Sequence, residues 1–367
     1  MRNRRIHRGT TLILAGLLFL GVLVVLALAA DLGHVVLVRA GLQAGADAAA
    51  LAAAERIDSP RTQLAVELQP DNVEYGVWNV TSRTFTPSHR PGNAVRVTAA
   101  TGPSRFCDWS LLGRFPFASK ASAVAADTPR DIALVVDLSG FPPETPPMPA
   151  IRRALIAAIR ALKRRNARIE DPAGRDWVSI ITFDSLITGG PVVRQPLTAD
   201  YDRAMEACAD LRPAADRKAA RATEAGMIAA EEQIKPRADG GKGRPTADKV
   251  VILLTGGLPD SYSSSRAEID RFVASHRSDD FYNDGAYPPN AALMQAARMK
   301  ANGWQVFAVG VGQGTNHDFP DRLARLAGTA DREGRSPRAA ANPTQCEPRL
   351  TEILMRIVDS PKVRLVQ

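Results

Sequence analysis

The sequence predicts an α/β protein in three parts: an N-terminal apolar helix with an alanine-rich stalk, a small β-rich module, and a doubly wound parallel-sheet domain. Three observations carry this. An uncharged apolar run fills residues 11–30, short β-branched stretches separated by turn residues lie within 63–126, and from Asp131 apolar runs of strand length alternate with helical segments. A chain of 367 residues has room for two domains and an anchor.

The run TLILAGLLFLGVLVVLALAA, residues 11–30, is about as long as a helix needs to cross the hydrocarbon core. Ahead of it, MRNRRIHR supplies four arginines, which the positive-inside rule keeps in the cytoplasm. Residues 1–10 are therefore expected to be a cytoplasmic basic segment, 11–30 a single transmembrane helix, and the bulk extracytoplasmic. A cleaved signal peptide is the competing reading, because Ala27, Ala29 and Ala30 are small, but signal h-regions are usually shorter. The arginines also account for about half of the net charge of +8, so nucleic acid is not an expected partner.

Residues 31–58 contain no proline and are rich in helix formers after Gly45, so the membrane helix is expected to continue outward. Its alanines, at 44, 46, 48 to 50 and 52 to 54, leave a smooth surface on which a second helix, including one from another copy, can approach closely. In residues 59–128, VEYGVWNV, TSRTFTP, NAVRVTAAT and FASKASAVAA read as short antiparallel strands joined by turns. Nothing in this module carries chemistry.

Beyond residue 129, DIALVVDLS, WVSIITFDS, KVVILLTGG and WQVFAVGVG read as buried strands, with helices expected at 149–164, 199–212, 218–234 and 287–302. Ligands of such sheets bind outside the carboxyl ends of the strands, which directs attention to the loops after Val136, Leu254 and Val311.

Those loops carry a resemblance. VVDLSG, VSIITFDS, RATEAGMIAAEEQI, VVILLTGGLPD and WQVFAVGVG follow in the order seen in von Willebrand factor type A domains, over residues 130–367, and the closing PKVRLVQ resembles the C-terminal strand of that Rossmann-like fold. The N-terminal RRIHRGTTLILAGLLFLG and ADLGHVVLVRAGLQAGADAAALAAA resemble TadG-like proteins of the tight-adherence (Flp) pilus system. In that family a von Willebrand A domain frequently follows.

The A-domain resemblance implies a metal-ion-dependent adhesion site, built from a DxSxS loop, a threonine and an aspartate. Here Asp137 and Ser139 match, Phe141 replaces the second serine, Arg221 falls at the threonine position with Thr223 two residues away, and Gly256 replaces the aspartate, with Asp260 four residues on. Mg²⁺ needs hard oxygen ligands near octahedral geometry and dehydrates reluctantly. The degenerate set Asp137, Ser139 and Thr223 is therefore expected to hold no cofactor, with weak Mg²⁺ or Mn²⁺ binding as the alternative. Asp137 can instead pair with Arg221, which imitates the charge balance of a metallated site, or bond to nearby backbone.

Other signals are weaker. GVGQGT, residues 310–315, lacks the lysine and context of a phosphate loop. DLSG around Ser139 does not match a nucleophile elbow, and no base is visible beside it. The histidines at 34, 89, 276 and 317 lack metal-ligand spacing, and SDDFYNDG, residues 278–285, lacks EF-hand spacing. PPETPPMP, residues 142–149, reads as a stiff excursion over the carboxyl edge. Cys107, Cys208 and Cys346 have no CxxC spacing and are expected to be buried small hydrophobes, with one disulfide left open.

Taken with the resemblance, these residues imply a non-enzymatic, inner-membrane protein that binds other proteins in pilus assembly or anchoring. The alternative is an adhesin that binds an acidic ligand through a residual metal site. A hydrolase using Ser139 ranks below both.

Overall fold

The structure is a computed structural model that describes residues 4–54, 73–79, 82–88, 92–100, 119–139, 147–167, 169, 171–184, 186, 190–214, 220–283, 285–311, 318–339, 343–358 and 363–366. Two compact units result, one from residues 1–127 with 363–367 and the other from residues 128–362.

In the first unit, helix α1 runs unbroken through Arg4–Ala54, 51 residues or about 77 Å at the α-helical rise. The expected anchor and stalk are thus one rod. Its surface changes along its length: Leu12, Leu18 and Leu37 are 78%, 73% and 72% exposed, whereas Ala46 and Ala50 are fully buried. The apolar exposed stretch therefore continues beyond residue 30, past Asp31. Its composition and length suit a membrane span.

The buried alanines have a definite neighbour. Strands β1 (Val73–Asn79), β2 (Thr84–Pro87), β3 (Ala94–Ala100) and β4 (Lys120–Asp127) form an antiparallel sheet with β10 (Val363–Leu365), in the order β10-β4-β3-β1-β2. Ala46, Ala49, Ala50 and Ala53 lie on Val95, Val97, Ala121, Ala123 and Ala125 of β3 and β4. Small residues on both sides let helix and sheet approach closely, and Gln43 adds a side-chain bond of 3.3 Å to the Ser122 carbonyl. The alanine face proposed for a second helix is taken by the chain's own sheet. Residues 31–54 and the β-rich module are therefore one unit.

The C-terminal strand also departs from expectation. Instead of completing the larger sheet, β10 pairs antiparallel with β4, with Val363 opposite Asp127 and Leu365 opposite Ala125. Val366 then packs with Trp78, Ala94, Val124 and Ala126 on the sheet face opposite α1. A strand of three residues carries too little pattern to announce its partner.

The second unit is the expected doubly wound domain. Its strands are β5 (Arg130–Asp137), β6 (Trp177–Phe183), β7 (Val192–Thr198), β8 (Asp248–Thr255) and β9 (Gln305–Gly310), ordered β7-β6-β5-β8-β9. All neighbours are parallel except β6 and β7. Ile132, Leu134 and Val136 point to one core while Ala133 and Val135 point to the other, so the period of two along β5 supplies both faces. Helices α2 (Pro147–Asn166), α3 (Tyr201–Ala209) and α8 (Pro343–Val358) cover the first face. On the second lie α4 (Thr223–Ile234), α6 (Tyr287–Ala301) and α7 (Asp318–Ala327), with α5 (Arg266–Ser275) outside α6. Edge strand β7, with Pro196 and alternating burial, was not among the predicted strands, nor were α5, α7 and α8 among the predicted helices.

The amino end of this sheet is pinned by buried charge. Asp131 accepts from the Arg244 side chain and backbone at 2.8 Å each and from Lys249 Nζ at 2.7 Å. Arg244 also donates to the carbonyls of Ala173, Arg175 and Arg130 and stacks on Trp177. Beside it, Arg130 pairs with Asp176 at 3.2 Å, both nearly inaccessible. Burial pulls the Lys249 ammonium below the usual lysine range, against the opposing pull of Asp131.

Candidate functional site

The carboxyl ends of β5 and β8 bring together residues more than 110 positions apart. Asp137 closes β5 and is fully buried. Its Oδ1 accepts the Ser139 amide at 2.8 Å and the Ser139 hydroxyl at 2.5 Å. Its Oδ2 lies 3.2 Å from the Thr255 hydroxyl and accepts the Gly256 amide at 3.1 Å. Arg221 Nε stands 3.8 Å from the same oxygen. Burial pushes the Asp137 carboxyl above the ordinary carboxylate range, and the bonds from Ser139 and Gly256, with the Arg221 charge, offset part of that rise.

Arg221 owes its place to its flanks. Its backbone amide donates to the Asp260 carboxylate, and its carbonyl accepts the Asp260 amide at 3.4 Å. The side chain lies over Gly257, where an added Cβ would fall 3.2 Å from the guanidinium carbon. Next in sequence, Ala222 donates to the Asp184 carbonyl at 2.9 Å, tying this loop to the end of β6. Helix α4 then starts at Thr223, close to the sheet because Gly226 has no side chain: a Cβ there would come within 2.5 Å of the Phe183 ring.

Four of the residues singled out in the sequence, Asp137, Ser139, Arg221 and Gly256, thus meet at one point. Thr223 is fully buried at the start of α4, and its Oγ1 has no hydrogen-bond partner among the described residues. Phe141 lies outside the described residues. Asp260 serves as an acceptor for the Arg221 backbone.

Two participants were not visible in the sequence. Thr255 follows an ordinary apolar run, and only its place at the strand end before two glycines hints at a bond to Asp137. Glu224 is fully buried and accepts from Ser263 N at 2.7 Å, Ser263 Oγ at 3.1 Å, Ser264 N at 3.2 Å and the Ser264 hydroxyl. This carboxylate holds the loop leaving β8 to the first turn of α4.

The remaining candidates belong to the architecture. In the acidic loop Asp280 pairs with Arg325 at 2.6 Å, and Arg322 gathers the carbonyls of Asp279, Asp280 and Phe281; Asp284 lies outside the described residues. Among the described residues no group of three or more His, Cys, Asp or Glu side chains is placed to hold a metal ion. Gly310 of the glycine loop is bonded to the Pro337 carbonyl at 3.2 Å, and residues 312–317 are outside the description. His276 stacks on Phe272 with ring centres 3.7 Å apart. Cys208 and Cys346 are buried free thiols, and Cys107 is outside the described residues. Pro147 and Pro149 open α2, a position where a missing amide hydrogen costs nothing; residues 142–146 are outside the described residues.

No curated protein matches the chain. Among solved structures, the chain is similar to the vWF domain of the type V pili tip protein Mfa5 from Porphyromonas gingivalis, with 13% identity, 63% of this chain and 96% of that one covered, and a TM-score of 0.45. Proximal thread matrix protein 1 from the mussel byssus is similar at 15% identity and a TM-score of 0.42, over 64% of this chain but only 49% of its own length. Manganese-loaded TRAP protein of Plasmodium vivax is similar at 15% identity and a TM-score of 0.41, over 72% of this chain and 78% of that one. Likenesses this distant carry no partner, metal or activity over to this chain. Residues 9–56, which include the apolar and alanine-rich parts of α1, match the family described as Flp pilus-assembly TadE/G-like.

Proposed function

We propose that this chain is a single-pass protein of the inner (cytoplasmic) membrane, with its N-terminus in the cytoplasm, that binds other proteins during tight-adherence (Flp) pilus assembly or anchoring. The observation that carries the reading is α1. One helix presents bare apolar side chains from Leu12 to Leu37, then seats its alanines on a folded sheet, and the segment matching the pilus-assembly family is this same stretch. Such a rod holds a folded unit at the membrane surface. The domain of residues 128–362 then acts as a binding module.

A tag on the full chain, crosslinking in native membranes and mass spectrometry of what co-purifies test this. Pilus-assembly components in the crosslinked material are the expected outcome. Recovery of the chain alone would sink the assembly role.

One observation favours a second reading, a metal-dependent adhesin using Asp137, Ser139 and Thr223: the buried Thr223 hydroxyl lacks a partner among the described residues. Against it, both Asp137 oxygens already accept protein donors and a guanidinium stands 3.8 Å away. A hard cation needs free oxygen lone pairs and tolerates no fixed positive charge beside it, so these residues do not fit Mg²⁺ or Mn²⁺. Ligand binding abolished by a chelator would restore the adhesin.

A further inference from the structure

We infer that the end of the small sheet where β3 finishes and β4 begins lies on the outer face of the membrane, with Arg39 of α1 and Lys120 of β4 meeting lipid phosphates. The inference rests on the single-pass reading above and adds where, and through which side chains, the folded unit touches the bilayer.

Helix α1 sets which end of the sheet faces the membrane. The Gln43 side chain bonds to the carbonyl of Ser122, close to the start of β4. From there to Ala54, about 16 Å at the helical rise, the alanines of α1 lie on β3 and β4. Only toward Asp127 does β4 offer that length, about 16 Å at the strand rise, against about 7 Å toward Lys120. So α1 and β4 run in the same direction. Lys120, with Ala100 of β3 opposite it, stands at the end that faces the apolar part of α1.

Two cations then fall at one level. Arg39 precedes Gln43 by about 6 Å of helix, and Lys120 precedes Ser122 by about 7 Å of strand. Both are exposed, and neither is ion-paired among the described residues. The exposed apolar stretch ends just before Arg39, at Leu37, and from Leu12 it measures about 39 Å. That exceeds the hydrocarbon core of about 30 Å but fits the roughly 40–45 Å that includes the headgroups, so its outer end reaches the phosphates. Arg39 continues the stripe of Leu42, Ala46, Ala50 and Ala53 that meets the sheet, one turn nearer the membrane. Lys120 is out of phase with Ala121 and Ala123 beneath α1 and projects from the other face. A cation on each side of the sheet end fits a plane of anions, and long basic side chains beside a membrane span reach toward the headgroups.

The test places the full chain, carrying Cys107→Ser, in nanodiscs of phosphatidylcholine and phosphatidylglycerol; Cys208 and Cys346 are buried and stay unlabelled. A fluorophore is attached in turn at Leu20→Cys within the apolar stretch, at Ala100→Cys, and at Ser82→Cys, which follows β1 about 30 Å farther out by strand rise. Quenching is read with lipids spin-labelled on the headgroup or on the acyl chain. We expect headgroup quenching at position 100 to exceed that at 82 at least threefold, and to fall by half or more in Arg39→Glu/Lys120→Glu. Equal quenching at 100 and 82 overturns the contact, and quenching at 100 that ignores the charge reversal overturns the role of the two cations. Acyl-chain quenching at position 20 judges the anchor separately: its presence leaves the single-pass reading standing whatever position 100 shows, and its absence sinks that reading and this inference together.

Discussion

Gly226, in the first turn of α4, meets the ring of Phe183 at the end of β6 so closely that an added methyl group would lie 2.5 Å from its Cδ1. That contact sets how near α4, and with it Arg221 and Thr223, comes to the carboxyl edge. Gly226→Ala is expected to destabilise the domain by about 1–3 kcal/mol through overpacking, although alanine alone favours a helix. Thermal unfolding of the full chain in detergent should show the loss as a fall of roughly 2–4 °C per kcal/mol for a domain of this size. An unchanged midpoint would mean that the helix can shift outward freely.

At the other end of the sheet, Asp131 is the shared counter-ion of Arg244 and Lys249. Asp131→Ala leaves two buried cations without it and is expected to cost about 3–5 kcal/mol. Adding Lys249→Met should recover part of that cost, since it removes one stranded charge. A double-mutant cycle by chemical denaturation reads the coupling, and strict additivity would contradict the network.

Cys208 supplies a pH dependence. Burial pushes its thiol from 9.0 up to about 12, so between those values the unfolded chain ionises while the folded one does not. A raised thiol pKa means that its stabilisation is complete below the unfolded value and is lost as pH rises toward the folded one, by up to about 1.4 kcal/mol per pH unit. Burial raises Tyr201 in the same direction. Tyr282 and Cys346 are raised by burial as well, so unfolding midpoints should fall above pH 9, and less steeply in Cys208→Ala, which lacks one of these contributions. Parallel pH profiles for the two proteins would refute this.

In the membrane-proximal unit, Ala50 has no exposed surface beneath α1, whereas Ala48 faces outward. Ala50→Leu should force the helix off β3 and β4 and cost about 1–3 kcal/mol, while Ala48→Leu should be nearly neutral. Limited proteolysis of the two variants in membranes distinguishes them: faster cleavage between residues 55 and 127 is expected only for Ala50→Leu.

What could be read in the sequence follows the range of the interactions. The four parallel strands were legible because both faces are buried and their residues form continuous apolar runs. Asp137, Ser139 and Gly256 were legible as candidates because each follows such a run at a strand end, whereas Arg221, ahead of α4, was placed beside them only by the resemblance to von Willebrand A domains. Edge strand β7 was not, since Val192–Thr198 mixes polar and apolar residues around Pro196. Nor were the bonds from Asp131 to Arg244 and from Glu224 to Ser264, because their partners lie 113 and 40 residues away and nothing local marks them. The alanines of α1 showed that something approaches closely, but small residues do not say whether a helix or a sheet is the neighbour.

The pairing of β10 with β4 has a mechanical meaning. Residues 128–362 leave the small sheet at Asp127 and rejoin it at Val363, positions directly opposite each other in an antiparallel ladder. Tension on the inserted domain reaches both strands at the same end, so it peels their bonds one at a time, beginning at Val363, and does not shear them together. With three residues in β10, the first strand to give under load is the last one in the chain. Its release leaves the inserted domain tied to the small sheet at Asp127 alone, while α1 stays seated on β3 and β4.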